Sequence, residues 1–185
     1  MGVTIHYRGR LRRPEDIQAI TDELEDICCS AGWKYSLLDF REPEKGDLPF
    51  RGIVLQPHPK SESIWMLFQD DGKMAHPFSY PSDSDPDGLP WSFTKTQFAG
   101  ADTHMAVCRL LQYLAKRWFS VFEVFDEAEY YQTGDDRELR RQLGVINEAI
   151  NALEKGLSEG PPLEEGESIE DRITKILEDL QRKQP

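Results

Sequence analysis

Two apolar stripes at helical spacing, each flanked by runs that alternate with a period of two, constrain this chain more than any other feature. Ile17, Ile20, Leu24, Ile27, Cys28 and Ala31 recur three and four apart behind Pro14, a residue suited to the first turn of a helix, and Gly32 stops the run. Val107, Leu110, Leu111, Leu114 and Trp118 form the second stripe, with Asp102 or Thr103 placed to cap it. Ahead of the first stripe, Val3, Ile5 and Tyr7 alternate with Thr4, His6 and Arg8. Between the stripes lie strand-like runs at 33–40, 52–56 and 63–69, a tight turn at Asp71-Gly72, a loop rich in Pro, Ser and Asp over 76–90, and a further alternating run at 91–98 broken by Ala99-Gly100. Val121–Phe125 reads as a last strand. A segment of one period cannot take the other conformation without turning its apolar side chains to water.

The order of elements over the first 126 residues is therefore β-α-β-β-β-β-α-β. It contains the βαββαβ order of a ferredoxin-like sandwich, and we expect an α+β fold with a mainly antiparallel sheet and two helices on one face. From Asp136 the pattern is helical only: Leu139, Leu143, Ile146, Ile150, Leu153 and Leu157 repeat in steps of four and three, a heptad seam. After a Gly/Pro/Glu linker at 158–167, Ile169, Ile173, Ile176 and Leu180 keep that spacing in a second helix. The expected division is an α+β domain over 1–134 and a helical extension over 135–185. The two seams could pair as a hairpin, lie across the sheet edge or meet a second copy of the chain, and are too short to stand alone as a coiled coil.

The charge balance of the 185 residues narrows the partners. With 34 acidic against 22 basic residues the formal net charge is −12, a poor match to a nucleic-acid backbone or an anionic membrane, so neither is expected as a partner. Arg8, Arg10, Arg12 and Arg13 read as solvated edge charges. Cys28, Cys29 and Cys108 are odd in number, and no CxxC or Cys/His ligand spacing occurs, as in a reduced cytoplasmic protein. No apolar run approaches the roughly 18 residues that span a membrane.

The densest packet of chemically capable side chains is VFEVFDEAEYYQTGDD at 121–136. If alternation continued past Phe125, Glu127 and Glu129 would project opposite Asp126 and Tyr130, and one carboxylate pair could converge for acid–base work or for a hard cation. The competing reading is structural: Thr133 or Asp135 as the N-cap of the next helix, with the tyrosines as rim packing. His104, in the first turn of the second helix, could act as a base, with Lys95 and Gln97 on the preceding run as neighbours. Cys108 lies four residues on, bordering the apolar stripe, and reads as a buried thiol. Asp83, Asp85 and Asp87 match half of a calcium loop, but its twelfth position is Thr94 rather than Glu. No metal or cofactor is otherwise expected, since HExxH, GxGxxG, GxxxxGK[ST] and GxSxG are all absent.

The runs KTQFAGADTH and FEVFDEAEYYQTGD resemble an uncharacterised family of small bacterial cytosolic proteins with a DE-x-x-Y-x-x-TGD-like segment, over roughly residues 91–160. The resemblance carries no activity with it. It implies that Lys95, Gly100, His104, Asp126, Glu127, Tyr131, Thr133, Gly134 and Asp135 are the positions to test together, and they come from a strand, a helix start and a strand end that could meet at one rim of a sheet. Two functions follow as expectations: a non-enzymatic binding module whose C-terminal helices contact a partner or a second copy, with Lys95, Gln97, Tyr130, Tyr131, Thr133 and Asp135 as contact residues, or an acid–base or metal-assisted hydrolase built on His104 with Asp126, Glu127 or Glu129.

Overall fold

The computed structural model describes residues 3–40, 49–76, 88–158 and 168–183. The protein is α+β with antiparallel sheets. Strand β1 (Thr4–Leu11) leads through a 3-10 turn at Pro14–Asp16 into helix α1 (Ile17–Ala31). Gly32 closes α1 in the left-handed conformation at φ 69°, a backbone shape for which glycine lacks the Cβ penalty. Strands β2 (Lys34–Phe40), β3 (Phe50–Gln56), β4 (Ile64–Phe68), β5 (Met74–Ala75) and β6 (Ser92–Lys95) precede helix α2 (Ala101–Arg117). Strand β7 (Phe119–Asp126), a one-turn helix α3 (Tyr130–Thr133) and the long helix α4 (Asp136–Ser158) follow, and α5 covers Ile169–Lys183.

The strands do not form the single sheet of a ferredoxin-like sandwich. One sheet has the order β6-β1-β7 and the other β2-β3-β4-β5, every neighbour antiparallel. The extra strand material between the two helices is the reason, because β2 to β5 pair in sequence as a meander and only β6 reaches back to β1. Among the described residues, the bonds that link the sheets include an isolated antiparallel bridge between Arg10 and Lys73, the Leu11 N–H on the Gly72 carbonyl at 2.9 Å, and the Glu62 N–H on the Lys95 carbonyl at 2.9 Å. The buried Tyr7 hydroxyl adds a side-chain link by accepting the Trp65 N–H at 2.8 Å.

Alternation sorts the faces. On β1 the side chains of Ile5, Tyr7 and Leu11 are buried while those of Thr4, His6 and Arg8 are half-buried. The inner face joins Ile53, Leu55, Ile64, Met66 and Phe68 and the buried stripes of both helices in one core. Helices α1 and α2 are clasped at their surface by Glu23, whose carboxylate takes hydrogen bonds from the Tyr113 hydroxyl, the Trp118 indole N–H and the Arg117 guanidinium. Helix α2 starts at Ala101 with Gly100 at its N-cap and no side-chain cap. Asp102 and Thr103 lie inside its first turn, where the Thr103 hydroxyl donates to the Ala99 carbonyl.

Contacts divide the chain into a unit at Gly2–Leu139 and a second at Arg140–Pro185. In the second, Leu143 is buried, Ile146, Ile150, Leu153, Ile173 and Ile176 are half-buried, and Leu157 and Ile169 are exposed. The side chain of Leu180 lies outside the described residues. Ser168 caps α5 reciprocally, its hydroxyl accepting the Asp171 N–H while the Asp171 carboxylate accepts the Ser168 N–H, each at 3.0 Å. Among the described residues no helix is long and apolar enough to cross a membrane.

Candidate functional site

Strand β7 ends at Asp126 because the chain turns inward there. Glu127 and Ala128 form the turn, and Glu129 takes the left-handed conformation at φ 60° before α3 begins. Asp126, paired with Ile5 on β1, therefore points into the core beneath the start of α2. Its Oδ1 accepts the Ala128 N–H at 2.9 Å. Its Oδ2 accepts the Tyr131 N–H at 2.9 Å, faces His104 Nε2 at 3.1 Å and takes the Cys108 thiol at 3.7 Å. On its other side His104 Nδ1 lies 2.7 Å from the hydroxyl of Thr96, in the turn after β6, and the Tyr130 ring stands edge-on to the imidazole at 6.2 Å.

The protonation logic follows from what each group can do. A carboxylate only accepts, so Nε2 carries the hydrogen that faces Asp126. A threonine hydroxyl both donates and accepts, so its bond to Nδ1 holds whether that nitrogen is bare or protonated. Burial by itself raises the Asp126 carboxyl, but the His104 hydrogen bond and charge, with the Tyr131 and Ala128 amides, outweigh it and hold the group below its ordinary value. Burial raises the Cys108 thiol, and the neighbouring Asp126 charge raises it further.

Of the residues expected at the site, the structure brings His104 and Asp126 together and leaves the other two carboxylates outside. Glu127 turns back over β1, accepting the Thr4 N–H at 2.9 Å and lying 3.8 Å from His6. Glu129 is exposed, and its amide donates to the Asp126 carbonyl. The Lys95 N–H donates to the Glu62 carboxylate at 3.0 Å and its carbonyl accepts the Glu62 N–H at 2.9 Å, and Gln97 is buried with its Oε1 lacking a hydrogen-bond partner. Tyr130 and Tyr131 roof the His104–Asp126 pair, and the Tyr131 carbonyl accepts from Gln112 at 2.8 Å. Asp135 is the N-cap of α4, its Oδ1 accepting the Arg137 and Glu138 amides at 3.0 and 3.1 Å, while the Thr133 hydroxyl accepts the Asp135 amide at 3.2 Å. Asp83, Asp85 and Asp87 lie outside the described residues. Thr96 and Cys108 complete the cluster. The i, i+4 spacing of His104 and Cys108 shows a shared helix face, but the position of Thr96 depends on a turn that periodicity does not reveal.

Chemically, the cluster places an imidazole between a hydroxyl and a carboxylate, the relation of nucleophile, base and orienting acid. His104, Cys108 and Asp126 also offer ligand atoms within 4.8 Å of one another, the residues that could hold a metal ion. The cluster is sealed: Thr96, His104 and Cys108 have no exposed surface and Asp126 is 1% exposed. A soluble thiol reagent is expected to modify exposed Cys29 quickly, and Cys28 and Cys108 roughly a hundredfold more slowly, at the rate of local opening. Cys108 reacting as fast as Cys29 in the native chain would reveal an open path to His104.

The open face of the sheets contrasts with this closed cluster. On the β1 side not turned to the core, His6 stands between its cross-strand partners Phe93 and Phe125, with ring centroids 6.3 and 6.0 Å away. The row continues through His76, stacked 5.7 Å from Phe93 and tilted against Trp65 at 5.3 Å, and on β2 and β3 Phe40 and Phe50 pair at 5.2 Å. Gln56, Glu62, Ser63, Trp65, His76 and Phe93 line a cleft of about 340 Å³ within it. No protein-family model, curated protein or solved structure matches this chain.

Proposed function

We propose that this protein is a cytoplasmic, non-enzymatic binding module that engages a protein partner through the aromatic row on the open face of its sheets. The observation that carries this reading is the distribution of exposure. Phe93 and Phe125 are 42% and 58% exposed on either side of His6 and Phe40 is 51% exposed at the end of β2, whereas the groups best suited to chemistry are at most 1% exposed. Exposed aromatic side chains grouped on a face are enriched where proteins bind one another, and they supply contact area at low entropic cost. Free cysteines, one of them exposed, suit a reducing compartment. The half-buried apolar seams of α4 and α5 give a second surface for the same partner or for another copy. The resemblance of residues 91–160 to a bacterial family without an activity adds no catalytic claim.

A photo-crosslinking amino acid at position 125 in otherwise intact cells tests the reading. The expected product is one discrete adduct, lost when Phe93 and Phe40 are both changed to Ser, with the unfolding free energy of the purified double variant, from urea denaturation, changed by less than about 1 kcal/mol because both positions are exposed. An adduct pattern unchanged by those substitutions would end the proposal. The close contact of His104 with Asp126 supports the alternative, an acid–base enzyme working when the roof of α3 opens. That reading keeps His104 and Asp126 and drops Glu127 and Glu129, whose bonds lie elsewhere.

A further inference from the structure

We infer that His104, Cys108 and Asp126 form a binding site for one borderline-soft divalent cation, zinc being the type, closed within the core. This goes beyond the binding-module reading and does not depend on it. The donor set comes first: an imidazole nitrogen, a thiol sulfur and a carboxylate oxygen are the three ligand types that zinc takes in proteins, and calcium or magnesium would want oxygen alone. The spacing comes second. For metal–ligand distances of about 2.0–2.1 Å to nitrogen, 2.3 Å to sulfur and 2.0–2.2 Å to oxygen in a tetrahedron, the nitrogen and oxygen stand about 3.3 Å apart and the sulfur and oxygen about 3.5 Å apart. The observed separations are 3.1 Å for His104 Nε2 to Asp126 Oδ2 and 3.7 Å for Cys108 Sγ to that same oxygen, with all three atoms within 4.8 Å.

The surroundings supply what a ligand shell needs. Thr96 Oγ1, 2.7 Å from His104 Nδ1, is the outer-shell partner that fixes a ligating imidazole, and the Ala128 and Tyr131 amides fix the carboxylate. On binding, the Nε2 hydrogen gives way to the cation, Nδ1–H donates to Thr96 Oγ1, and the Cys108 thiol releases its proton to solvent. A thiolate, a carboxylate and a divalent cation then sum to zero charge, so the core holds a neutral site. Three protein donors leave one position of the tetrahedron for a water or small anion. The cation reaches the site when α3 opens, a single turn at Tyr130–Thr133 held between two left-handed residues, Glu129 and Gly134.

The test uses the full chain, unfolded in urea with reductant and chelator and then refolded with Co²⁺ or Zn²⁺. Expected are one bound ion per chain, about one proton released per ion at neutral pH, a thiolate-to-cobalt charge-transfer band displaced by Zn²⁺, and a raised melting temperature. The band survives in Cys29→Ser and is lost in Cys108→Ser. X-ray absorption at the zinc edge of the wild-type chain needs no variant and is expected to show a single sulfur at about 2.3 Å. A wild-type chain refolded in excess Co²⁺ without the band, a zinc edge with no sulfur or with two, or a band that depends on Cys29 instead of Cys108, overturns the assignment.

Discussion

Asp126→Asn is expected to destabilise the protein by about 3–5 kcal/mol, because it removes a buried carboxylate and leaves its donors mispaired. Its two oxygens together receive four donors: the Ala128 and Tyr131 amides, His104 and Cys108. Asparagine keeps one oxygen and replaces the other with an NH₂ group. Turned one way, that group meets the Ala128 N–H; turned the other, it meets the remaining three donors, so a buried donor is left unsatisfied in either orientation. The pH dependence has a definite sign. The Asp126 carboxyl is lower in the folded chain than in the unfolded one, so the stability it adds is fully present above the ordinary carboxylate range and is lost as pH falls through the folded value. Urea midpoints of wild type and variant measured between pH 7 and pH 3 are therefore expected to differ most at neutral pH and to converge below about pH 4. A difference that stays constant down the series would mean that Asp126 acts through shape and not through charge.

The parts of this fold written in periodicity are those whose stabilisation is local to a face. Ile17 to Cys28 and Val107 to Leu114 are the buried stripes of α1 and α2, and Ile5 and Tyr7 fill the inner side of β1, because one apolar face per element is what a two-layer core demands. Sheet order is a different matter. Whether β6 or a meander strand lies beside β1 is decided by long-range register, such as Tyr7 opposite Ser92 and Val124, and no local pattern encodes that choice. The strand order expected from the succession of elements alone is for this reason replaced by two sheets.

The site divides along the same line. His104 stands in the first turn of the second apolar stripe and Asp126 ends the last apolar strand, and the structure joins them. Offering Glu127 and Glu129 beside Asp126 as partners of His104 rests on nearness in sequence, since alternation past Phe125 would itself turn both away from Asp126. The chain leaves the strand at Asp126 and passes through the left-handed Glu129, and of the three carboxylates that of Asp126 is buried while Glu127 and Glu129 are exposed. Glu129 is the one described non-glycine residue at positive φ, and nothing in its side chain announces that conformation. The Asp135 cap was legible because an N-cap needs only its own next three residues.

Gly52→Ala is expected to destabilise the chain by about 3–5 kcal/mol or to prevent folding, since backbone strain and overpacking add at this position. Gly52 sits in the middle of β3, opposite Leu38 on one side and Leu67 on the other, at φ 147°. A Cβ built there would lie 2.1 Å from the Met66 carbonyl oxygen and 3.1 Å from the Leu67 Cα. Both are main-chain atoms of β4, so no side chain can swing away to make room, and the ladder that carries Trp65 into the aromatic row must shift as a whole. The same substitution at Gly144 separates this effect from glycine's general behaviour. That residue lies within α4 with nothing inside 4 Å of an added Cβ, and alanine there is expected to raise stability by about 0.5–1 kcal/mol through helix propensity. Urea denaturation of the two variants should therefore move in opposite directions from wild type. If Gly52→Ala unfolds at the wild-type midpoint, β3 and β4 approach each other less closely at Gly52 than described, and the open face is free to reshape around its ligand instead of presenting a fixed row of rings.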